Sequence, residues 1–277
     1  ELLQEVLAEF AEHETAESMT RLAVSLPRAD PWPLWEVTRD LALGPLGSFL
    51  TAIDFCHVEE GFPPKGNRAL FDDVRDFNRQ HPERALAILY HVGESFEDKS
   101  LESAVRWVHE AAELGAHRLG HAIALGVSPD AYGEHQRTET IAERIDQIAY
   151  DLRHADGLRG HGVPVDTEAL QREFDEIRGL PGELQLTLSY DGPRLDEVKG
   201  RQCFAMERVR SLGAVVEVCP TSNRRIGGLK DPSHHPVRQF ISNGVPFVVS
   251  SDDPGVFDTT LADESDWVVR AADLSPS

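Results

Sequence analysis

Two adjacent carboxylates, Asp252 and Asp253, close the apolar run Gly244-Val245-Pro246-Phe247-Val248-Val249 through Ser250 and Ser251, and Pro254 follows them. Packing alone does not explain that ending. An unpaired carboxylate is costly to bury, so buried carboxylates are paired, hydrogen-bonded or bound to a metal. Three further apolar runs end in polar chemistry in the same way. Ala85 to Tyr90 leads to His91-Val92-Gly93-Glu94, His117-Arg118-Leu119-Gly120 leads to His121, and Ala214 to Val218 leads to Cys219-Pro220-Thr221-Ser222-Asn223. In a parallel α/β barrel the C-terminal strand ends converge on one mouth, where catalytic groups sit. The pattern points to a metal-dependent hydrolase barrel.

The elements that must position these residues follow from periodicity and turn signals. Residues 1–25 read as an amphipathic helix with the stripe Leu2, Leu3, Val6, Leu7, Phe10, and a turn-rich break runs from Pro27 to Pro33. Trp35 to Leu43 reads as a second helix and Phe49 to Phe55 as the first buried strand. Arg68 to Gln80 is a helix with Phe71, Val74 and Phe77 on one face. Strand 85–91, helix 100–115 ending at Gly115 and strand 117–121 follow. Helix 199–212, strand 214–219, helix 234–243 and strand 245–251 complete at most five strand-plus-helix units, where a closed barrel needs eight. Alternation of this kind predicts parallel pairing.

The alternation breaks over residues 128–198. That stretch holds a charged helical pattern (Glu139 to Arg153), a Gly/His-rich turn (Gly157 to Gly162), a helix (Thr167 to Arg178) and a polar strand candidate (Leu184 to Tyr190). It reads as a largely helical insertion on the loop after strand 117–121, where barrels accept decoration. Residues 1–127 and 199–277 then form the barrel on either side of it.

Composition narrows the function classes. The chain has 277 residues, 40% of them hydrophobic, which suits one sizeable core. A formal net charge of −21 argues against nucleic-acid backbone or an anionic membrane as the main partner. No apolar run approaches the ~18 residues of a membrane span, and three scattered cysteines fit a reducing cytoplasm. The chain begins with Glu1 and stops at Leu274-Ser275-Pro276-Ser277, which reads like a helix N-cap with no helix after it. The expectation is a piece of a longer polypeptide.

The motifs His91-Val92-Gly93-Glu94, Arg118-Leu119-Gly120-His121, Cys219-Pro220-Thr221-Ser222-Asn223 and Ser251-Asp252-Asp253-Pro254 occur in the order found in the adenosine deaminase family. The chain resembles that family, a zinc-dependent branch of the amidohydrolase barrels, over about residues 49–127 and 214–265. The H-x-E and P-C-x-x-C signature of the cytidine-type deaminases is absent. The resemblance implies a partial (β/α)8 barrel, strands 4–8, with the insertion after the sixth strand. It implies zinc held by His91 and Asp252, a water oriented and partly deprotonated by His121, and a purine ring nitrogen protonated by Glu94. It further implies a hydrogen bond from Asp253 to the purine.

Two departures stand out. The family carries H-x-H on its first strand, and no H-x-H occurs here. The resemblance places strands 1–3 before residue 49 and the missing ligands in sequence upstream of Glu1. Ordinary adenosine deaminases read D-[LF]-x-G after the next strand, whereas this chain reads Asp54-Phe55-Cys56-His57. His57 is thus a candidate to meet a phosphate or ribose, or else points to solvent. The expected activity is hydrolytic deamination of adenosine or a related adenine nucleoside or nucleotide. Three alternatives stand beside it: an AMP- or nucleotide-acting relative, an antiphage-type deaminase subunit, and a non-catalytic barrel serving assembly. Residues 128–198 would be the surface for homo-oligomer contacts.

Overall fold

Six short runs rich in Val, Ile, Leu and Ala form one parallel sheet. Its strands are β1 Leu22–Ser25, β2 Leu50–Asp54, β3 Ala87–Val92, β4 Arg118–His121, β7 Val215–Val218 and β8 Phe247–Val249, in the order β1-β2-β3-β4-β7-β8. The structure, a computed structural model, describes residues 2–15, 17, 19–227, 229 and 231–271, so the Leu274–Ser277 cap signal lies outside the described residues. Register is parallel throughout, with Ala52 opposite Ala87, His91 opposite Gly120, Gly120 opposite Glu217 and Val218 opposite Val249. All strand C-termini therefore lie along one rim. In β3 the odd and even positions separate: Ile88, Tyr90 and Val92 are buried, and Leu89 and His91 are half-buried on the other face.

The helices are α1 Leu2–His13, α2 Trp32–Leu43, α3 Arg68–Gln80, α4 Leu101–Leu114, α5 Ile123–Gly126, α6 Ile141–Arg153, α7 Ala155–Gly160, α8 Thr167–Ile177, α9 Gly192–Leu212, α10 Pro220–Arg225, α11 Val237–Asn243, α12 Pro254–Phe257 and α13 Leu261–Ala271. Their apolar faces meet the sheet in one core. Trp35, Phe55, Phe71, Tyr90 and Trp107 fill its centre, and the Phe55, Phe71 and Tyr90 rings lie 5.0–6.1 Å apart. Helix α4 starts on Ser100, whose hydroxyl accepts from the Ser103 N–H at 3.1 Å, and ends on left-handed Gly115.

The α/β architecture is the expected one, with a sixth parallel strand added. Residues 1–25 are not a single helix: α1 stops at His13 and β1 begins at Leu22, pairing parallel with β2. The stripe that supports α1 ends at Phe10, and Val24 and Leu26 instead enter the core. The expected turn at Gly157–Gly162 is mostly helix α7, because Ala155 and Leu158, three residues apart, both face a buried cluster with Phe204.

The decoration has its own two-stranded antiparallel sheet, β5 His135–Thr140 with β6 Gln185–Tyr190. Thr140 ends β5 and caps α6 by accepting from the Glu143 N–H at 3.2 Å. Buried polar contacts tie this region to α4. The Glu139 carboxylate accepts from Ser100 N–H and the Ser103 hydroxyl, and the Tyr190 oxygen accepts from Leu101 N–H at 3.1 Å. Helix α9 begins at Gly192, earlier than the expected 199, and runs through residues 198 and 199 without a break. Asp151 receives both arms of Arg201 at 2.6 and 2.9 Å.

Candidate active site

The rim of strand C-termini encloses a cavity of about 430 Å³ lined by Asp54, Cys56, His91, Glu94, Arg118, His121, Glu217, Ile226, Ser250, Asp252 and Asp253, among others. Five strands contribute. Asp54 ends β2, His91 lies near the end of β3, His121 ends β4, Glu217 lies on β7, and the two aspartates follow β8. His121 Nε2 stands 3.5 Å from a Glu94 oxygen and 3.9 Å from an Asp252 oxygen. The His91 and His121 rings are 5.0 Å apart, tilted by 53°.

Backbone geometry brings these side chains inward. Gly93 sits at φ +70°, and a Cβ there would come within 2.6 Å of Val108 Cγ2, so only glycine turns the chain between His91 and Glu94. A Cβ on Gly120 would sit 2.8 Å from the His91 ring, so this glycine lets the imidazole lie across the neighbouring strand. His121 and Asp252 themselves have φ of 61° and 55°. Left-handed backbone at non-glycine residues stores roughly 1–3 kcal/mol each and clusters where function demands a particular side-chain direction.

Glu59 and Arg28 hold the loops. The Glu59 carboxylate accepts from Gly93 N–H at 2.9 Å, Glu94 N–H at 3.2 Å and Ser95 N–H at 3.4 Å. Burial pushes its pKa up, against the pull of Lys99, these backbone donors and Arg28. The Arg28 guanidinium donates to the Phe55, His57 and His91 carbonyl oxygens and stacks over Tyr90 at 4.7 Å. It thereby ties the end of β2 to the end of β3.

The donors suit a metal in kind. Asp54 lies 3.1 Å from His91 Nδ1, leaving Nε2 as that ring's other donor. A carboxylate behind an imidazole is the arrangement that orients a metal-ligating histidine. Burial pulls the His91 pKa down, but the Asp54 hydrogen bond and the Asp54, Glu94 and Glu217 charges outweigh it and hold it above the ordinary value. His121, Cys219 and Asp252 place ligand atoms within 4.8 Å of one another. Burial, reinforced by the Glu217 and Asp252 charges, drives the Cys219 thiol far up. A separate group, His109, Glu113 and His154, lies among the outer helices, where Arg153 Nε is 3.2 Å from His154 Nε2. That guanidinium disfavours a cation there.

Of the residues singled out from sequence, His91, Glu94, His121, Asp252 and Asp253 share the cavity. His57 does not line it. The alternation beyond β2 turns Asp54 and Cys56 inward and leaves His57 exposed, with its carbonyl held by Arg28. Sequence reasoning passed over Asp54, although its strand ends in the same apolar-then-acidic form as β8. It also passed over Glu59, Arg28 and His235. The Asn223 side-chain amide reaches His121 Nδ1 at 2.8 Å and His235 Nε2 at 3.4 Å.

Comparison with known proteins gives a consistent picture. Residues 203–277 match the adenosine deaminase family model. The chain is 39% identical to the adenosine deaminase of Plasmodium vivax over 185 residues, 59% of this chain and 49% of that one. It is 46% identical to the aminodeoxyfutalosine deaminase of Acidothermus cellulolyticus over 56 residues, 20% of this chain and 16% of the relative. The chain thus spans about half the length of these relatives, or less. Among solved structures, the adenine deaminase of Arthrobacter aurescens superimposes with a TM-score of 0.51 at 17% identity, covering 93% of this chain and 52% of that one.

Proposed function

We propose that this chain, which belongs to the adenosine deaminase family, carries active-site residues of a zinc-dependent hydrolase that deaminates adenosine or a related adenine nucleoside or nucleotide and releases ammonia. The observation that carries the reading is the single cavity where His91, Glu94, His121, Asp252 and Asp253 meet at the ends of neighbouring parallel strands. In this reading His91 and Asp252 hold the zinc, which when bound supplies an acidified water at neutral pH. A catalytic zinc site takes about three protein ligands, so these two describe part of a site. Asp54 orients His91. Glu94, at the inner end of the Gly93 turn, delivers a proton to the purine ring nitrogen, which makes the amino-bearing carbon electrophilic. His121 holds the attacking water against that carbon, and Asp253 accepts or donates a hydrogen bond at the imidazole half of the purine. A 430 Å³ cavity is of the size that takes a small-molecule ligand.

The experiment is a pair of substitutions in the whole polypeptide. Glu94→Gln should lower turnover by about 10²–10⁴-fold with metal retained, as removal of a general acid does. Asp252→Ala should lose metal together with activity. Near-normal rates in both variants, with adenosine and adenine nucleotides as substrates, would refute the assignment.

A further inference from the structure

A chain of hydrogen bonds runs from a helix backbone to the site. The Val237 N–H donates to His235 Nδ1 at 3.2 Å. A ring nitrogen that accepts carries no proton. His235 is buried, packed edge-on against Trp267 with ring centres 4.8 Å apart. Burial, and after it Arg224, lower its pKa to about 3, so it is neutral at physiological pH. Its one ring proton must then sit on Nε2, which faces the Asn223 amide at 3.4 Å.

An N–H facing an amide needs the amide oxygen, and the two ends of a carboxamide are exchanged by a half-turn. As placed, Asn223 Oδ1 lies 2.8 Å from His121 Nδ1 and Nδ2 lies 3.4 Å from His235 Nε2, which sets a donor against the His235 N–H. The half-turn that gives His235 its acceptor turns the NH2 to His121 Nδ1. Asn223 and His121 are both buried, which leaves no room for solvent to supply another partner. We infer that Val237, His235 and Asn223 form a relay that fixes His121 as the neutral tautomer with its proton on Nε2, making His235 and Asn223 positioning residues for the site.

The consequence deepens the proposed function and rests on it. His121 Nε2–H is aimed at the Glu94 and Asp252 oxygens, 3.5 and 3.9 Å away. It can donate to the oxygen of a water placed there but cannot take a proton from it. The share in deprotonation expected of His121 therefore passes to Asp252, and His121 acts by holding the oxygen.

The test is long-range ¹H–¹⁵N correlation spectroscopy on the chain with ¹⁵N-labelled histidine. The relay requires a pyridine-type resonance at His121 Nδ1 and a pyrrole-type resonance at Nε2. Asn223→Asp presents acceptor oxygens to both rings and should move the proton to Nδ1, a change that a merely structural asparagine would not produce. A pyrrole-type Nδ1 in the unsubstituted chain, or a tautomer unmoved by folded Asn223→Asp, overturns the inference. Should Asn223→Asp fail to fold, the unsubstituted spectrum decides alone. No turnover is needed, so a wrong tautomer sinks the relay and leaves the deaminase reading to the Glu94 and Asp252 variants. An inactive whole polypeptide with the proton on Nε2 does the reverse.

Discussion

Replacing Glu59 tests whether the loop carrying Glu94 is held from behind. Three consecutive backbone donors, at Gly93, Glu94 and Ser95, converge on its carboxylate. Gly93 is buried, so Glu59→Ala leaves its N–H without partner or solvent, at a cost of about 1–3 kcal/mol. Glu94 and Ser95 are half-buried, and water replaces their lost bonds at about 0–1 kcal/mol each. Removal of the carboxylate also leaves the buried Lys99 and Arg28 charges less compensated. The expected destabilisation is about 2–4 kcal/mol for Glu59→Ala. Glu59→Gln keeps one acceptor for Gly93 and turns an NH2 toward Glu94, and should cost about 1 kcal/mol. Urea unfolding with an unchanged slope reads the difference, and amide exchange at Gly93 and Glu94 should quicken in the alanine variant. In the whole polypeptide a loop displaced by about 1 Å should lower turnover by roughly 10²-fold. Both variants within about 0.5 kcal/mol of the unsubstituted chain, with the Gly93 amide still protected, would show that Glu59 does not hold the loop.

Other outcomes follow from the same geometry. The chain by itself should bind zinc weakly and release no ammonia from adenosine, since the two zinc ligands proposed, His91 and Asp252, fall short of the about three that a catalytic site takes; calorimetry with zinc and an ammonia assay check this. His235 has a folded pKa of about 3 against an ordinary 6.5. Its contribution to stability is therefore complete above pH 6.5 and declines as pH falls toward 3, by about 1.4 kcal/mol per pH unit. In His235→Phe, urea unfolding between pH 6.5 and 4 should show one fewer proton taken up. Asp252→Gly relieves left-handed backbone strain and removes a carboxylate from an acidic cavity, so its melting temperature should rise; a fall would show that Asp252 is not strained.

The four strand ends were legible because each signal is local: an apolar run followed within a few residues by polar side chains, His, Glu or Asp in three of them and Cys219 to Asn223 in the fourth. Strand β1 was not, since Leu22–Ser25 is too short to show a period of two and lies beside a strong helical stripe. Strand β5, His135–Thr140, is polar throughout, and only its pairing with β6 makes it a strand. Glu59 acts through backbone amides 34 to 36 residues away, a role with no side-chain motif. The Asp54 contact to His91 spans 37 residues, and the Asn223 contact to His121 spans 102. The residues that share the cavity were readable, and the groups that aim them were not.

The seam between β4 and β7 sets the order in which this site can come into being. His121 stands on one side and Asn223 on the other, and residues 122–214 must be spanned before they meet. That connection is roughly three times the ~30 residues of an ordinary βαβ unit. Loop-closure entropy grows slowly with length, so the excess costs only about 1 kcal/mol at equilibrium. Kinetically the effect is larger, because pairings this distant in sequence slow folding. During synthesis β1 to β4 can assemble with His91 and Glu94 in place while His121 still lacks its amide partner. The cavity is complete only after the last two strands dock, so a stalled or nicked chain would hold half of it, with His121 lacking its amide partner.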